Sequence, residues 1–453
     1  MNTKLSAKML GKLSNLAILN DPIDPSLYEK YDVKRGLRNS NGTGVLVGLT
    51  RIGDVVGYEI SSNGEKIPVP GRLIYRGYDV VDLIKDAEKN DQFCFEQCAY
   101  LLLMGELPTQ EELDVFREYL GSFRALPPNF TEDMIMKAPS ADIMNKLARG
   151  VLASYSYDKN PEDRSVPNIM KQCVSLISRF STLAAYGYQA KLRYYDNKSM
   201  FIHNPKPELS TAENFLRLIR PDKTYSKLEA EILDLALILH AEHGGGNNSS
   251  LVVHVVSSTD TDTYSAIAAA VGSLKGSRHG GANIKVVQMM DEIKANVKDW
   301  SDENAVKDYL YKIAKKEAFD GSGKIYGMGH AVYTISDPRA ILLREKAEQL
   351  AKVKGFSDEF MLYRTIEELA PEIVMEVHNS KKRICANLDL YSGFVYSMLN
   401  IPRELFTPLF AIARIAGWSA HRIEEVVAGG RIYRPAYKNV CEERPYIPLD
   451  ERK

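Results

Sequence analysis

From Asp79 onward, apolar residues recur at three- and four-residue intervals along almost the whole chain, a period that predicts packed α-helices. One such stretch opens at Thr109 with Glu112 three residues on, a capping box, and continues as the stripe Leu113, Phe116, Leu120. Another opens at Ser226 with Glu229 and runs through Leu228, Ile232, Leu235 and Leu239. The helical period returns over residues 264–275, 284–298, 337–353 and 363–369. Residues 43–76 differ: Val45, Val47 and Leu49 alternate with other residues, and Asn63-Gly64 is a two-residue hairpin signal, so short strands are expected. The chain therefore reads as mainly α with a short N-terminal β hairpin. At 453 residues and 45% hydrophobic content it is long enough for two or three domains.

Charge and cysteine usage narrow the partners. Lys plus Arg number 58 against 59 Asp plus Glu, so no general attraction to nucleic acid or anionic membrane is expected, and an anionic ligand needs a local cluster of cations. The five cysteines (Cys94, Cys98, Cys173, Cys385 and Cys441) include no C-x-x-C pair, which predicts a reducing compartment, the cytoplasm, without disulfides. Lys4, Lys8 and Lys12 with Leu5, Met9, Leu13 and Leu16 describe an amphipathic N-terminal helix, expected to dock on the surface; it lacks the continuous apolar run of a secretory signal. No stretch of about 18 apolar residues predicts a membrane span.

Four segments carry chemistry. His240-Ala241-Glu242-His243 ends an apolar helix at Gly244; helix capping, a weak i,i+3 metal pair and an oxyanion loop are all open for it, although the zinc spacings and the G-x-S-x-G elbow are absent. His279 stands on a tight turn, Gly276-Ser277-Arg278-His279-Gly280-Gly281, between two helices. His330 follows Gly327-Met328-Gly329, and Asp337-Pro338 then reads as a helix start that puts Arg339 in its first turn. Asp389 is flanked by Leu388 and Leu390, a setting that raises a carboxylate's pKa and makes it a better base; capping or ion pairing is the competing role. Arg414 and Arg434 add cations suited to bidentate recognition of carboxylates.

In order and spacing these segments resemble the citrate synthase family. Its signature, glycine-x-glycine-histidine with an arginine nine residues later after Asp-Pro, is present at residues 327–339, and Tyr75-Arg76-Gly77-Tyr78 matches an N-terminal family segment. The resemblance implies a large helical domain (residues 1–283 and 391–453) with a smaller helical domain inserted at about 284–390, so that His279 and Asp389 flank the hinge. It implies that Asp389 is the base taking a proton from the acetyl-CoA methyl group, that His279 stabilises the resulting enolate, and that His330 polarises the keto oxygen of oxaloacetate. His243, Arg339 and Arg414 would hold the oxaloacetate carboxylates, with Arg434 reaching in from the other subunit of a homodimer. Ile325, Gly327, Met328 and Gly329 would contact CoA. Acetyl-CoA is then a substrate, and no metal or redox cofactor is required.

Ser277-Arg278, Gly244, Met328 and Thr334 depart from common family residues; Thr334 stands where a basic residue often meets the CoA phosphates, so no phosphate clamp is assigned. A 2-methylcitrate synthase using propionyl-CoA would share every residue named, because one methylene shifts preference by only ~1–3 kcal/mol. A non-catalytic module binding CoA or a dicarboxylate would be expected to lack His279, His330 or Asp389, and all three are present.

Overall fold

A computed structural model describes residues 3–39, 43–63, 65–380 and 383–452. Two compact units divide the chain, Met1–Leu49 and Thr50–Lys453. The first contains the helix Thr3–Asn20, the short helix Ser26–Lys30 and a 3₁₀ turn at Arg35–Leu37. The long helix forms as its period predicts, and Met9, Leu13 and Leu16 of its apolar stripe are 58%, 56% and 47% exposed. The strand expected through Val45, Val47 and Leu49 does not form. An isolated bridge between Arg38 and Gly44 is the only pairing nearby among the described residues. Alternation favours a strand only where a neighbouring backbone completes the ladder.

In the second unit, β1 (Gly53–Ile60), β2 (Lys66–Tyr75) and β3 (Tyr78–Asp79) form an antiparallel sheet in that order. The β1–β2 register runs from Gly53 opposite Tyr75 to Ile60 opposite Lys66, with an irregularity between Val56 and Tyr58. The Ser61 N–H donates to Glu65 O at 2.9 Å, closing the hairpin where Asn63-Gly64 predicts it; Gly64 itself lies outside the described residues. The buried Tyr75 hydroxyl donates to Ile238 O at 2.8 Å and accepts from the Glu242 N–H at 3.2 Å, which ties β2 to the end of the helix Lys227–His240.

The remainder is helical. The capping boxes at Thr109/Glu112 and Ser226/Glu229 are both made. Asp337 caps the helix Pro338–Lys354 by accepting from the Arg339 N–H at 3.0 Å, with Pro338 at its first position. Two long helices, Val166–Tyr194 and Phe406–Ala428, pack together at the centre and are buried on nearly every face, as expected of core helices. Each large apolar side chain taken fully from water there contributes about 1.5–3 kcal/mol. Among the described residues, no helix is long and apolar enough to cross a membrane.

Candidate active site

The two histidines closing the helix Lys227–His240 take different surroundings. His240 Nδ1 donates to Ala236 O at 2.7 Å and its ring meets Phe410 edge-on, 4.5 Å between centroids. Burial depresses its pKa to about 3, so it is neutral. His243 lies past the helix end, its ring 5.1 Å from that of His330. Neither belongs to a group of three or more metal-ligating side chains among the described residues.

Arg414 comes from the central helix Phe406–Ala428 and is fully buried. Its Nε donates to His240 O at 2.6 Å and its guanidinium lies 4.6 Å from the centre of the Phe410 ring. Close approach is possible because position 417 is glycine: a Cβ there would stand 2.5 Å from Ala241 O and 2.3 Å from Glu242 Oε2. Arg414 Nη1 and His243 Nε2 are both buried without a hydrogen-bond partner. Buried polar nitrogens left unpaired are costly, and their pairing by a ligand is the simplest account.

His330 and Asp389 share one mount. The Gly329 N–H donates to Cys385 O at 2.8 Å, the Asn387 N–H to Gly327 O at 2.9 Å, and Asn387 Nδ2 to Gly329 O at 2.8 Å. Gly327 has φ +84°, and a Cβ there would lie 2.9 Å from Leu390, so a larger residue would break this seam. His330 Nδ1 accepts from the N–H groups of Val332 and Tyr333, each at 3.1 Å. A neutral ring that accepts at Nδ1 carries its proton on Nε2, so His330 is fixed as a donor at that atom. Tyr333 stacks on it at 4.7 Å and donates its hydroxyl to Arg72 O on β2. Arg339 is buried, with Nε and Nη2 donating to the two oxygens of Asp337 at 3.0 and 2.7 Å.

Asp389 lies in the first turn of the helix Leu388–Met398, where the helix N-terminus favours a carboxylate. Burial of the carboxyl outweighs this and the pull of Arg339, and raises its pKa to about 6. His279 sits on the turn before the helix Ala282–Asn296, with Nε2 3.1 Å from Ser249 Oγ; that hydroxyl also accepts from Trp418 Nε1 at 3.1 Å. Burial, then the charge of Arg414, lowers the pKa of His279 to about 4. Burial, Arg339, His330 and Arg414 push that of His243 well below its usual range. Arg414 itself is lowered by burial to about 10 and stays cationic near neutrality.

The chain thus brings together His243, His279, His330, Arg339, Asp389 and Arg414: neutral imidazoles, a carboxylate poised to titrate near pH 6 and two buried guanidiniums. Ile325 is buried beside them, in the segment running through Gly327, Met328 and Gly329. Arg434 is exposed in the arm after the central helix and does not join the group within one chain. A cavity of about 630 Å³ elsewhere, lined by Glu96, Arg117, Arg124 and Glu213, shares no residue with it.

The family profile described as "Citrate synthase, C-terminal domain" matches residues 41–436. The citrate synthase of Haloferax volcanii is 34% identical over 93% of this chain and 99% of its own length. The chain belongs to the citrate synthase family. The family's 2-methylcitrate synthases are also near, that of Shewanella oneidensis being 32% identical over 84% of this chain and 92% of its own. Among solved structures, citrate synthase from Pyrobaculum aerophilum has a TM-score of 0.73 and 28% identity, covering 91% of this chain and 95% of that one. A ternary complex of Thermoplasma acidophilum citrate synthase with carboxymethyl coenzyme A and oxaloacetate has a TM-score of 0.74 and 27% identity, covering 93% and 99%.

Membership of the family accounts for the fold, but several partners of the named residues are not motif letters. Ser249, which meets His279, and Trp418, which donates to Ser249, act through side chains that the sequence marks only as a polar run after Gly246 and a buried aromatic. Asn387, the brace between the two site loops, reads in the sequence as an ordinary helix N-cap.

Proposed function

We propose that the chain condenses acetyl-CoA with oxaloacetate and water to give citrate and CoA. The observation that carries this reading is the pairing of charge states: Asp389, raised to about 6 by burial, faces neutral imidazoles and two buried arginines. Asp389 takes a proton from the thioester methyl group, and His279 donates a hydrogen bond to the thioester oxygen as negative charge develops there. Ser249 positions the ring that does this: its hydroxyl lies 3.1 Å from His279 Nε2 while it accepts from Trp418 Nε1 and donates to Asn247 Oδ1 at 2.9 Å. The enol carbon attacks the keto carbon of oxaloacetate, while His330 Nε2–H polarises the keto oxygen and protonates the new alkoxide. Water then cleaves the citryl thioester. His243 Nε2 and Arg414 Nη1 are buried without a partner, which supports their holding the oxaloacetate carboxylates together with Arg339.

The same reading makes residues 284–390 a smaller domain that closes over the rest to exclude water until condensation is complete. It places the enzyme in the cytoplasm as a homodimer, with the exposed Arg434 reaching the neighbouring site, and uses no metal or redox cofactor in the reaction. CoA lies along the backbone from Ile325 to Gly329. The 2-methylcitrate synthases among the relatives make propionyl-CoA the competing acyl donor. Thiol release from acetyl-CoA and from propionyl-CoA with oxaloacetate decides between them. Faster release from acetyl-CoA, abolished in Asp389→Ala, is expected; no release from either by folded protein would refute the enzymatic reading.

A further inference from the structure

Behind His243, the structure holds a second histidine cluster that the condensation does not use. His254 on the helix Asn248–Ser257 and His421 on the helix Phe406–Ala428 are both buried, with His254 Nε2 3.0 Å from His421 Nδ1. The outer nitrogen of each ring meets a carboxylate: His254 Nδ1 is 2.7 Å from Glu425 Oε2, and His421 Nε2 is 3.1 Å from Glu242 Oε1. A carboxylate only accepts, so both outer nitrogens are donors. The inner nitrogens then face each other across 3.0 Å, with Glu424 Oε2 3.6 Å from His421 Nδ1. Glu424 Oε2 makes no hydrogen bond, while Oε1 is fixed by the Arg51 N–H at 2.6 Å. Three electron-pair donors therefore converge, and something positive must lie among them: either a proton held by one ring or a metal cation.

We propose that this cluster is a binding site for a divalent transition metal of the zinc class, ligated by His254 Nε2, His421 Nδ1 and Glu424 Oε2. The three ligand atoms lie within 4.8 Å of one another. Metal–ligand bonds of about 2.0–2.2 Å allow ligand atoms on one ion to stand up to about 4 Å apart, so the separations of 3.0 and 3.6 Å fit, and a turn of the Glu424 side chain closes the third. Glu425 and Glu242 supply what metal-bound imidazoles usually have, a carboxylate on the far nitrogen that fixes tautomer and ring orientation. Two imidazoles and one carboxylate, with a fourth position left for water, suit zinc, cobalt or nickel rather than magnesium or calcium. A cavity of about 250 Å³ lies against Glu425, the outer partner of His254, and Ser257. This site is separate from the condensation, and its test needs no substrate.

The test is titration of chelator-stripped full-length protein with Co²⁺, followed by its visible ligand-field bands, and with Zn²⁺ by calorimetry. One Zn²⁺ per chain that displaces Co²⁺ is expected, with affinity at least a hundredfold weaker in His254→Gln and clearly reduced in Glu424→Gln. Glu425→Gln, which alters only the outer carboxylate, should weaken binding about 10–100-fold. His421 is fully buried and its replacement risks the fold, so His254→Gln and Glu424→Gln, checked for native circular dichroism, carry the decision. Absence of a stoichiometric site in wild type, or binding that survives both variants, would overturn the proposal and leave the proton as the cation the cluster holds.

Discussion

The site around Asp389 and the cluster around His421 are built from the same residue types on shared elements, yet they settle in opposite charge states. The Phe406–Ala428 helix carries Arg414 into the first and His421 into the second, and adjacent residues Glu242 and His243 divide between them. At the first, burial dominates: His243 and His279 are kept neutral and Asp389 is raised to about 6. At the second, burial also disfavours charge, but with no metal in the cluster Glu242 and then Glu424 outweigh it and lift His421 to about 9. Glu242 is held below its usual range because the combined pull of His421, Arg414 and the Gly244 N–H exceeds the cost of burying it. Burial sets up reactive groups where no fixed counter-charge answers them, and sets up a stable ion pair where one does.

The sharpest way to break this contrast is to remove the base. Asp389→Ala should lower kcat by about 10²–10⁴ with little loss of stability, read by thiol release and thermal denaturation. Next in size, His421→Gln should act the other way. It strands the buried Glu242 carboxylate, and about 3–5 kcal/mol of stability should be lost in chemical denaturation, far more than the variant Asp389→Ala loses. If the two variants changed stability equally, the division into a reactive and a structural cluster would fail. His279→Ala should cost about 10²–10³ in kcat, and Ser249→Ala, which only frees the ring, less.

The gentlest probe is pH. Asp389 must be ionised to act as base, so kcat/KM should rise with pH through about 6 and then level off. The neutral His279 works in the same direction on stability. Its folded pKa of about 4 lies below the ordinary 6.5, so its contribution is full above 6.5 and is lost as pH falls from there toward 4. A kcat/KM profile flat between pH 5 and 8 would remove Asp389 from the role of base.

Much of the first cluster was legible because its residues sit at breaks in the helical period. Glycines flank His279 and His330, and Asp-Pro announces Arg339. The second was not legible. His254 and His421 lie 167 residues apart inside apolar helical stretches, where period alone marks them as core, and only packing of the two helices makes them neighbours. The same limit explains the strand misread at residues 45–49: local alternation is a property of the segment, whereas a ladder belongs to two segments. The capping boxes, the hairpin and the Asp337 cap were readable since each is settled within four or five residues.

The seam between residues 327–329 and 385–387 also bears on how such a chain can diverge. Its hydrogen bonds close a covalent loop of more than fifty residues, and that loop contains the helices Pro338–Lys354 and Ser357–Val377. Because the loop is tied at its neck, an insertion or deletion in the turn between those helices need not alter the spacing of His330 from Asp389. Lineages can therefore lengthen or trim that outer turn while the reacting pair keeps its separation.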